Sequence, residues 1–205
     1  MPHYYAVIDF ECTCWESEGP NTTLVFPHEI IEFPVIFLNS ETLQIDYEFH
    51  SYVKPIEQLV LSPFCVQLTG IKQNLIDDAP DLCNVIAAFD TFLTDNEIHD
   101  FTACTNGPWD FHKFLYQETE RKKFPFPQWA KRWIDIRRRF QGVYNLENWV
   151  GVTEMLGILG LEFEGRPHSG IDDARNIARI VAAVHQKSRR SGKPLKPNRF
   201  IKNRK

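Results

Sequence analysis

The stretch Tyr4–Glu11, Y-Y-A-V-I-D-F-E, decides the fold class of this 205-residue chain. Side chains alternate between the two faces of a strand, so apolar residues occupy both faces from Tyr4 to Ile8. Apolar residues on both faces are typical of a central strand that is covered on both sides. The two-residue spacing of Asp9 and Glu11 places both carboxylates on one face, about 7 Å apart along the strand. The sequence therefore predicts a buried strand that ends in paired acids.

The remaining periodicity predicts an α/β fold, in which helices flank a mixed sheet. Alternating patterns predict further strands at residues 29–39, 44–54, 101–105 and 133–137. Apolar residues at helical spacing predict helices at residues 82–93, 109–121, 146–159 and 171–186. Three strands followed by alternating helices and strands predict one α/β domain with a mixed sheet.

Composition excludes a secreted, membrane-spanning or disulfide-stapled protein. The longest apolar stretches, such as Pro34–Leu38, fall far short of the roughly 20 residues that a membrane-spanning helix needs. No basic region precedes the first apolar run, which Asp9 interrupts, so we expect no signal peptide. The five cysteines are an odd number without a recurring C-x-x-C pair. They predict reduced thiols in a cytoplasmic or nuclear protein.

Charge is distributed unevenly along the chain. Residues 187–205 contain nine of the 23 Lys and Arg and no acid, so residues 1–186 carry 14 bases against all 27 acids, a net charge of −13. An acidic body that handles a polyanion needs cations to bridge the contact. We expect a folded domain at residues 1–187 and a flexible basic tail at residues 188–205. The tail could contact nucleic acid, direct nuclear import or stay solvated.

The paired acids Asp9 and Glu11 are the first candidate site. Two carboxylates at the end of an apolar central strand are costly unless a positive charge lies between them. A pair of divalent metal ions would remove that cost and suits phosphodiester chemistry. The alternative is a pair of solvated acids at a strand end.

Two later segments contain further candidates. Asp110, in N-G-P-W-D-F, opens a helix at the edge of its buried stripe, or serves only as a helix starter. In the last predicted helix Asp173 falls in line with apolar Ile177, whereas Asp172 falls on the polar face. A lone loop histidine such as His168 is usually structural or solvated. Its position five residues before an inward acid favours a catalytic role.

These residues carry a family resemblance. D-F-E-C-T-C-W, W-D-F and H-S-G-I-D-D-A-R-N-I-A-R-I resemble the three motifs of the DEDDh 3′-to-5′ exonucleases. Within that group the chain is similar to the Eri-type, histone mRNA 3′-exonuclease-like RNA exonucleases. The similarity extends from about Tyr4 to Ala183 and includes H-E-I-I-E-F-P, F-C-x-x-L-T-G-I and G-R-P-H-S-G. It implies a ribonuclease H-like (DnaQ-like exonuclease) fold.

The resemblance also implies roles for individual residues. The metal ligands would be Asp9, Glu11, Asp110 and Asp173, holding two Mg²⁺ ions for which Mn²⁺ can substitute. His168 would be the general base that takes a proton from the attacking water. The substrate-binding residues would be Phe64 and Trp109 at the terminal base and Thr13 near the terminal sugar. For the two aromatic residues, packing in the core remains an equal alternative.

The implied function is metal-dependent 3′-to-5′ exoribonuclease activity that releases nucleoside 5′-monophosphates. The expected partner is RNA with a single-stranded or overhanging 3′ end. We expect no membrane partner. Two alternatives stay open: an exonuclease on the same fold that prefers DNA, and a catalytically silent nucleic-acid-binding module. Five polar groups aimed inward argue against the silent module. The loop between Trp15 and His28 is of a kind that varies in this family, which leaves substrate choice open.

Overall fold

The computed structural model describes residues 2–16, 27–192 and 194–199, which form a mixed sheet flanked by helices. Most of the loop between Trp15 and His28, and the last six residues, lie outside the described residues. The strands are β1 (Tyr4–Ile8), β2 (Glu11–Cys12), β3 (Ile30–Asn39), β4 (Ile45–Tyr52), β5 (Phe101–Thr105), β6 (Arg132–Asp135) and β7 (Asn198–Arg199). This architecture confirms the predicted α/β class.

Seven α-helices accompany the sheet in the described part of the chain. They are α1 (Pro63–Thr69), α2 (Gln73–Ile76), α3 (Leu82–Asp95), α4 (Tyr116–Lys122), α5 (Ile136–Tyr144), α6 (Val152–Ile158) and α7 (Gly170–Arg190). A π-helical turn at Asp110–Leu115 leads directly into α4, and a short 3₁₀ turn at Gln128–Lys131 precedes β6. No helix among these combines the length and the apolar character needed to cross a bilayer.

Strand β1 lies at the centre of the sheet. The order across the sheet is β4, β3, β1, β5, β6, β7. Strand β1 runs parallel to β5 and antiparallel to β3, and every one of its five residues is buried. The parallel neighbours β1 and β5 bring their carboxyl ends to one edge of the sheet, where the polypeptide next reaches Asp9 and Asp110.

Strand β2 continues the line of β1 after a two-residue break. Ile8 pairs with Val35 of β3, and Glu11 pairs with Glu32 in the same antiparallel register. The break lies opposite Pro34, which has no backbone N–H to donate to a ladder. The interruption places Asp9 where the sheet hydrogen bonding pauses, and Glu11 lies where the pairing resumes.

Two apolar cores cover the two faces of the sheet. One contains the buried face of α3, with Leu82, Val85 and Phe89, together with Phe111 of the π turn. The other contains the buried faces of α5, α6 and α7 against β1 and β3. Helix α7 is the longest, and its stripe of Ile177, Ile180 and Val184 is buried as predicted.

Several segments differ from the sequence predictions, among them α1, α2 and β7, which were not predicted. The predicted helix at 146–159 is shorter, since α6 begins only at Val152. The predicted strand at 133–137 ends at Asp135, which caps α5 by accepting a hydrogen bond from the Arg138 N–H. That cap converts the R-R-R segment into a helix that the sequence did not predict.

The expected boundary at residue 187 stays a prediction, but α7 runs through it to Arg190. Leu195 is buried against the second core, and β7 pairs with β6 through Asn198 and Trp133. The described part of the basic segment therefore contributes to the fold. The expected flexibility of residues 188–205 stays a prediction.

Candidate active site

Three carboxylates meet at the carboxyl edge of β1. Asp9 follows β1, Glu11 begins β2 and Asp173 lies in the first turn of α7. Each offers an oxygen, and the three oxygens lie within 4.8 Å of one another. Sequence reasoning placed these residues on a strand end and an inward helix face, and the fold brings them together.

Asp110 lies beside this group, not within it. It is buried at the start of the π turn, and its Oδ1 accepts a hydrogen bond of 2.9 Å from the Phe10 N–H. Phe10 separates Asp9 from Glu11, so the fourth acid is held against the backbone that carries the first two. π-Helical turns are rare and frequently occur at functional sites.

Burial and mutual repulsion disturb the ionisation of these acids. Burial, followed by the charges of Asp110 and Asp173, raises the pKa of Asp9 well above its ordinary value. Burial and then Glu32 raise the pKa of Glu11 to about 9. Burial raises the pKa of Asp110 to about 7 and that of Asp173 to about 6, each partly offset by a backbone N–H. The cluster is therefore costly as four bare anions.

The acid cluster offers only carboxylate oxygens and carries excess negative charge, and these two properties determine which metal ion it could bind. Mg²⁺ and Mn²⁺ prefer carboxylate oxygens, whereas zinc and copper sites favour nitrogen or sulfur ligands. The residues present therefore fit a hard divalent cation. Asp9, Glu11 and Asp173 are the residues that could hold it, with Asp110 adjacent.

His168 lies on the exposed loop that precedes α7. Its backbone is left-handed, with φ at 62°, and its N–H donates to the Asp173 carboxylate. Asp172 supports the same loop by accepting a hydrogen bond of 3.0 Å from the Arg166 N–H. The Arg166 guanidinium donates to the Gln67 carbonyl on α1 at 2.8 Å. The loop is thus tied both to the acid cluster and to α1.

The two predicted base contacts are not core residues. Phe64, in the first turn of α1, is 36% exposed, and Trp109, just before the π turn, is 50% exposed. The Lys113 ammonium lies 5.2 Å from the centre of the Trp109 ring. Their exposure removes the core-packing alternative, while base stacking stays a prediction.

Thr13 lies in a different environment. It is buried, and its hydroxyl accepts a hydrogen bond of 2.9 Å from the Glu29 N–H. The His28 ring bonds the Thr13 carbonyl at 2.7 Å. Both contacts fix the chain just after β2, and the predicted position of Thr13 near a terminal sugar remains a prediction.

Sequence reasoning missed a fifth carboxylate, Glu32. It lies on β3 opposite Glu11 and is only 2% exposed. The signal was present in H-E-I-I-E-F-P, where an acid interrupts an otherwise apolar strand. That pattern alone did not show which groups would satisfy the buried charge.

The chain is similar to known exonucleases in sequence and in structure. An exonuclease family model matches residues 6–181. The solved nuclease domain of 3′hExo, a DEDDh family member bound to rAMP, superposes with a TM-score of 0.85 at 36% identity, covering 98% of both chains. This chain belongs to the DEDDh exonuclease family. The ribonuclease H-like fold implied by the motifs is confirmed by the same superposition.

Two relatives of this DEDDh exonuclease are similar to it over most of its length. Human 3′-5′ exoribonuclease 1 is 39% identical over 187 residues, which cover 89% of this chain and 52% of the human protein. The Drosophila melanogaster 3′-5′ exonuclease Snipper is 35% identical over 200 residues, covering 90% of this chain and 70% of Snipper. The chain spans about half the length of the human relative.

Proposed function

We propose that this DEDDh exonuclease is a metal-dependent 3′-to-5′ exoribonuclease that releases nucleoside 5′-monophosphates from single-stranded or overhanging RNA 3′ ends. The meeting of Asp9, Glu11 and Asp173 within 4.8 Å carries the proposal. The names of the human and fly relatives support the direction of cleavage, and the human name supports RNA as substrate.

The proposed cofactor is a pair of Mg²⁺ ions, or Mn²⁺ in their place. The three clustered acids would hold them, and Asp110 would complete the set. When bound, such ions neutralise phosphate charge and lower the pKa of the attacking water. The raised pKa values of Glu11 and Asp173 support this assignment, since cations would relieve the repulsion that contributes to them.

The chain's own residues would then handle protons and orientation. The imidazole of His168 would accept a proton from the water as its oxygen bonds to phosphorus. The bond from phosphorus to the 3′-oxygen would break, and that oxygen would take a proton from solvent water. A nucleoside 5′-monophosphate would leave, and the shortened strand would end in a 3′-hydroxyl. Phe64 and Trp109 would stack on the terminal base, and Thr13 would lie near its sugar.

We assign this activity to the predicted domain at residues 1–187. The described part of the segment that follows, Ser188 and Leu195 included, is partly packed on that domain. All five cysteines are free thiols, which supports a cytoplasmic or nuclear setting for the reaction.

A degradation assay on 5′-labelled oligonucleotides tests the proposal. Matched substrates would be single-stranded RNA, single-stranded DNA and an RNA stem-loop with a 3′ overhang, each with Mg²⁺ or with excess chelator. We expect a ladder that shortens from the 3′ end of RNA, disappears in chelator and returns with Mg²⁺ or Mn²⁺. Undiminished cleavage in chelator would contradict the metal mechanism.

The same assay separates the alternatives. Faster shortening of DNA than of RNA would establish the DNA-preferring exonuclease. Binding of either oligonucleotide without shortening, under every metal condition, would establish the silent module. Analysis of the released product as a nucleoside 5′-monophosphate checks which phosphorus–oxygen bond breaks.

A further inference from the structure

We propose that Glu32 is a positioning residue that fixes the first turn of α7, and with it Asp173, against the acidic edge of the sheet. This inference rests on the proposed function, because it concerns the orientation of a proposed metal ligand. Glu32 itself is not among the three acids that share the candidate metal site.

The hydrogen bonds of Glu32 show what it holds. Its Oε2 accepts from the Gly170 N–H at 2.9 Å, and its Oε1 accepts from the Ile171 N–H at 3.2 Å. The His50 ring on β4 bonds Oε1 at 2.8 Å. The first N–H groups of a helix have no partner within the helix. One buried carboxylate therefore satisfies two of them and joins α7 to β3 and β4.

The position of Glu32 links two of the proposed ligands. It pairs directly with Glu11 across the β2–β3 ladder, so the strand that carries Glu11 and the helix that carries Asp173 share one anchor. Asp173 lies three residues after Gly170, within the same helical turn. Because Asp173 belongs to this first turn, the direction of its carboxylate depends on where the turn is held.

Gly170 shows how closely that turn approaches the sheet. A Cβ added to Gly170 would lie 2.8 Å from the Asp9 carbonyl oxygen and 3.1 Å from Oε2 of Glu32. The first distance is too short for a real side chain against backbone, so any larger residue must push the helix start outward. The start of α7 is therefore packed against the backbone of one ligand and the side chain of Glu32.

The charge of Glu32 also needs an explanation. Its charge contributes to the raised pKa of Asp9, Glu11 and Asp173, so a neutral side chain would reduce the repulsion. A glutamine, however, has one acceptor oxygen, and its amide N–H groups would face the N–H donors of α7. Only a carboxylate can accept hydrogen bonds at both oxygens, from the Gly170 N–H and from the Ile171 N–H, and its charge strengthens both bonds.

The test compares Glu32→Gln with a matched substitution at a second glutamate that joins the sheet to α7. Glu48 lies on β4, is partly exposed, and its Oε2 lies 2.6 Å from the Arg175 guanidinium of α7. Glu48→Gln therefore removes a β4–α7 contact outside the first turn. Gly170→Ala displaces the first turn by a different route. Each 205-residue variant would be examined by circular dichroism, by Mn²⁺ titration with electron paramagnetic resonance, and by steady-state kinetics on single-stranded RNA.

We expect Glu32→Gln to weaken Mn²⁺ affinity and to lower kcat by about 10- to 100-fold, the usual cost of losing a residue that orients a metal ligand. KM for RNA should change less than about twofold, and Gly170→Ala should show the same split. Glu48→Gln should match the wild type within about twofold.

Two outcomes would overturn the inference in different ways. A folded Glu32→Gln chain with wild-type Mn²⁺ affinity and kcat would overturn the assignment of Glu32 and leave the proposed function intact. If Glu32→Gln does not fold, Gly170→Ala replaces it in the test. A folded Gly170→Ala chain with wild-type Mn²⁺ affinity and kcat would then overturn the inference. A wild-type chain that neither binds Mn²⁺ nor shortens RNA would overturn the proposed function and this assignment together.

Discussion

At His168 the backbone occupies a conformation that few side chains adopt without strain. Its φ of 62° lies in the left-handed region, which asparagine tolerates far better than alanine. The loop is held in this form by the bond from the His168 N–H to Asp173 and by Asp172 at the Arg166 N–H. A substitution that tests the imidazole must therefore keep the backbone.

We expect His168→Asn to lower kcat by roughly 10²- to 10⁴-fold, the usual contribution of a general base, while Mn²⁺ and RNA still bind. Single-turnover kinetics at neutral pH measures the loss, and His99→Asn, at another exposed histidine, serves as the control. A loss of kcat of less than tenfold would show that another group accepts the proton of the attacking water.

Substitutions at the neighbours Asp172 and Asp173 remove the same charge from two different faces of α7. Asp173→Asn should abolish RNA shortening, since it removes a charge from the cluster, and should raise the metal-free melting temperature by relieving repulsion. Asp172→Asn should keep most activity and cost at most about 1 kcal/mol, because the amide oxygen can still accept from the Arg166 N–H.

Activity and melting temperature of both variants check this prediction. The two substitutions keep the side-chain volume, so a difference between them reports charge and position. An inactive Asp172→Asn beside an active Asp173→Asn would contradict the assignment of Asp173 to the acid cluster.

At the scale of elements, helix α1 carries the exposed Phe64 ring, and the exposed Trp109 ring directly precedes the π turn. Helix α1 begins with Pro63 after an N-cap at Ser62, whose hydroxyl accepts from the Cys65 N–H at 3.0 Å. This local geometry was open to prediction from S-P-F-C. The π turn at Asp110–Leu115 was not, because its contacts are with residues far away in sequence: Asp110 accepts from the Phe10 N–H, and Phe111 packs in the first core.

If the terminal base stacks on Trp109, Trp109→Ala should weaken binding of a free RNA 3′ end by about 1–3 kcal/mol. Fluorescence anisotropy with catalytically inactive Asp173→Asn as the background measures this loss. Trp149, which is 54% exposed, is the matched control, and Trp149→Ala should change the preference for a free over a blocked 3′ end very little. Equal losses on both kinds of end would contradict stacking at Trp109.

At the scale of the whole molecule, the described part of the C-terminal segment joins the fold through the apolar anchor Leu195 and a short strand pair. Leu195→Ala should reduce the free energy of unfolding by about 1–3 kcal/mol, because a buried leucine side chain is truncated. Lys196→Ala, at the exposed next residue, should change it little. Urea unfolding measures both. Equal stability of the two variants would support the expected flexible tail at residues 188–205.

The acid cluster also predicts how stability depends on pH. The folded state raises the pKa of Glu11 to about 9, so it binds a proton that the unfolded chain releases near pH 4.5. The destabilisation by this group therefore grows as pH rises from about 4.5 to 9. We expect metal-free Glu11→Gln to melt above the wild type, by a margin that widens from pH 5 to pH 9.

Comparing the two chains cancels the contributions of other titrating groups. Differential scanning calorimetry at several pH values measures the margin. Added Mg²⁺ should close it by stabilising the wild type, most strongly at high pH. A margin that stays constant with pH would contradict the raised pKa of Glu11.

The sequence by itself determined the features that depend on neighbours along the chain. Alternation from Tyr4 to Glu11 predicted the central strand and its paired acids, and helical phase placed Asp173, and not Asp172, on the inner face of α7. These properties follow from the periods of strand and helix, which are set by local backbone geometry. The motifs around them sufficed to indicate the family and the four acids.

Only the tertiary structure decided which distant groups hold those acids in place. Glu32 reaches Gly170 across 138 positions of sequence, and Phe10 reaches Asp110 across 100. No local periodicity encodes such contacts, because they depend on how β3, the π turn and α7 pack around the end of β1. The left-handed backbone at His168 and the burial of Leu195 were settled in the same way. Side chains far apart in sequence must be brought together before their charge and hydrogen bonds can act on one another.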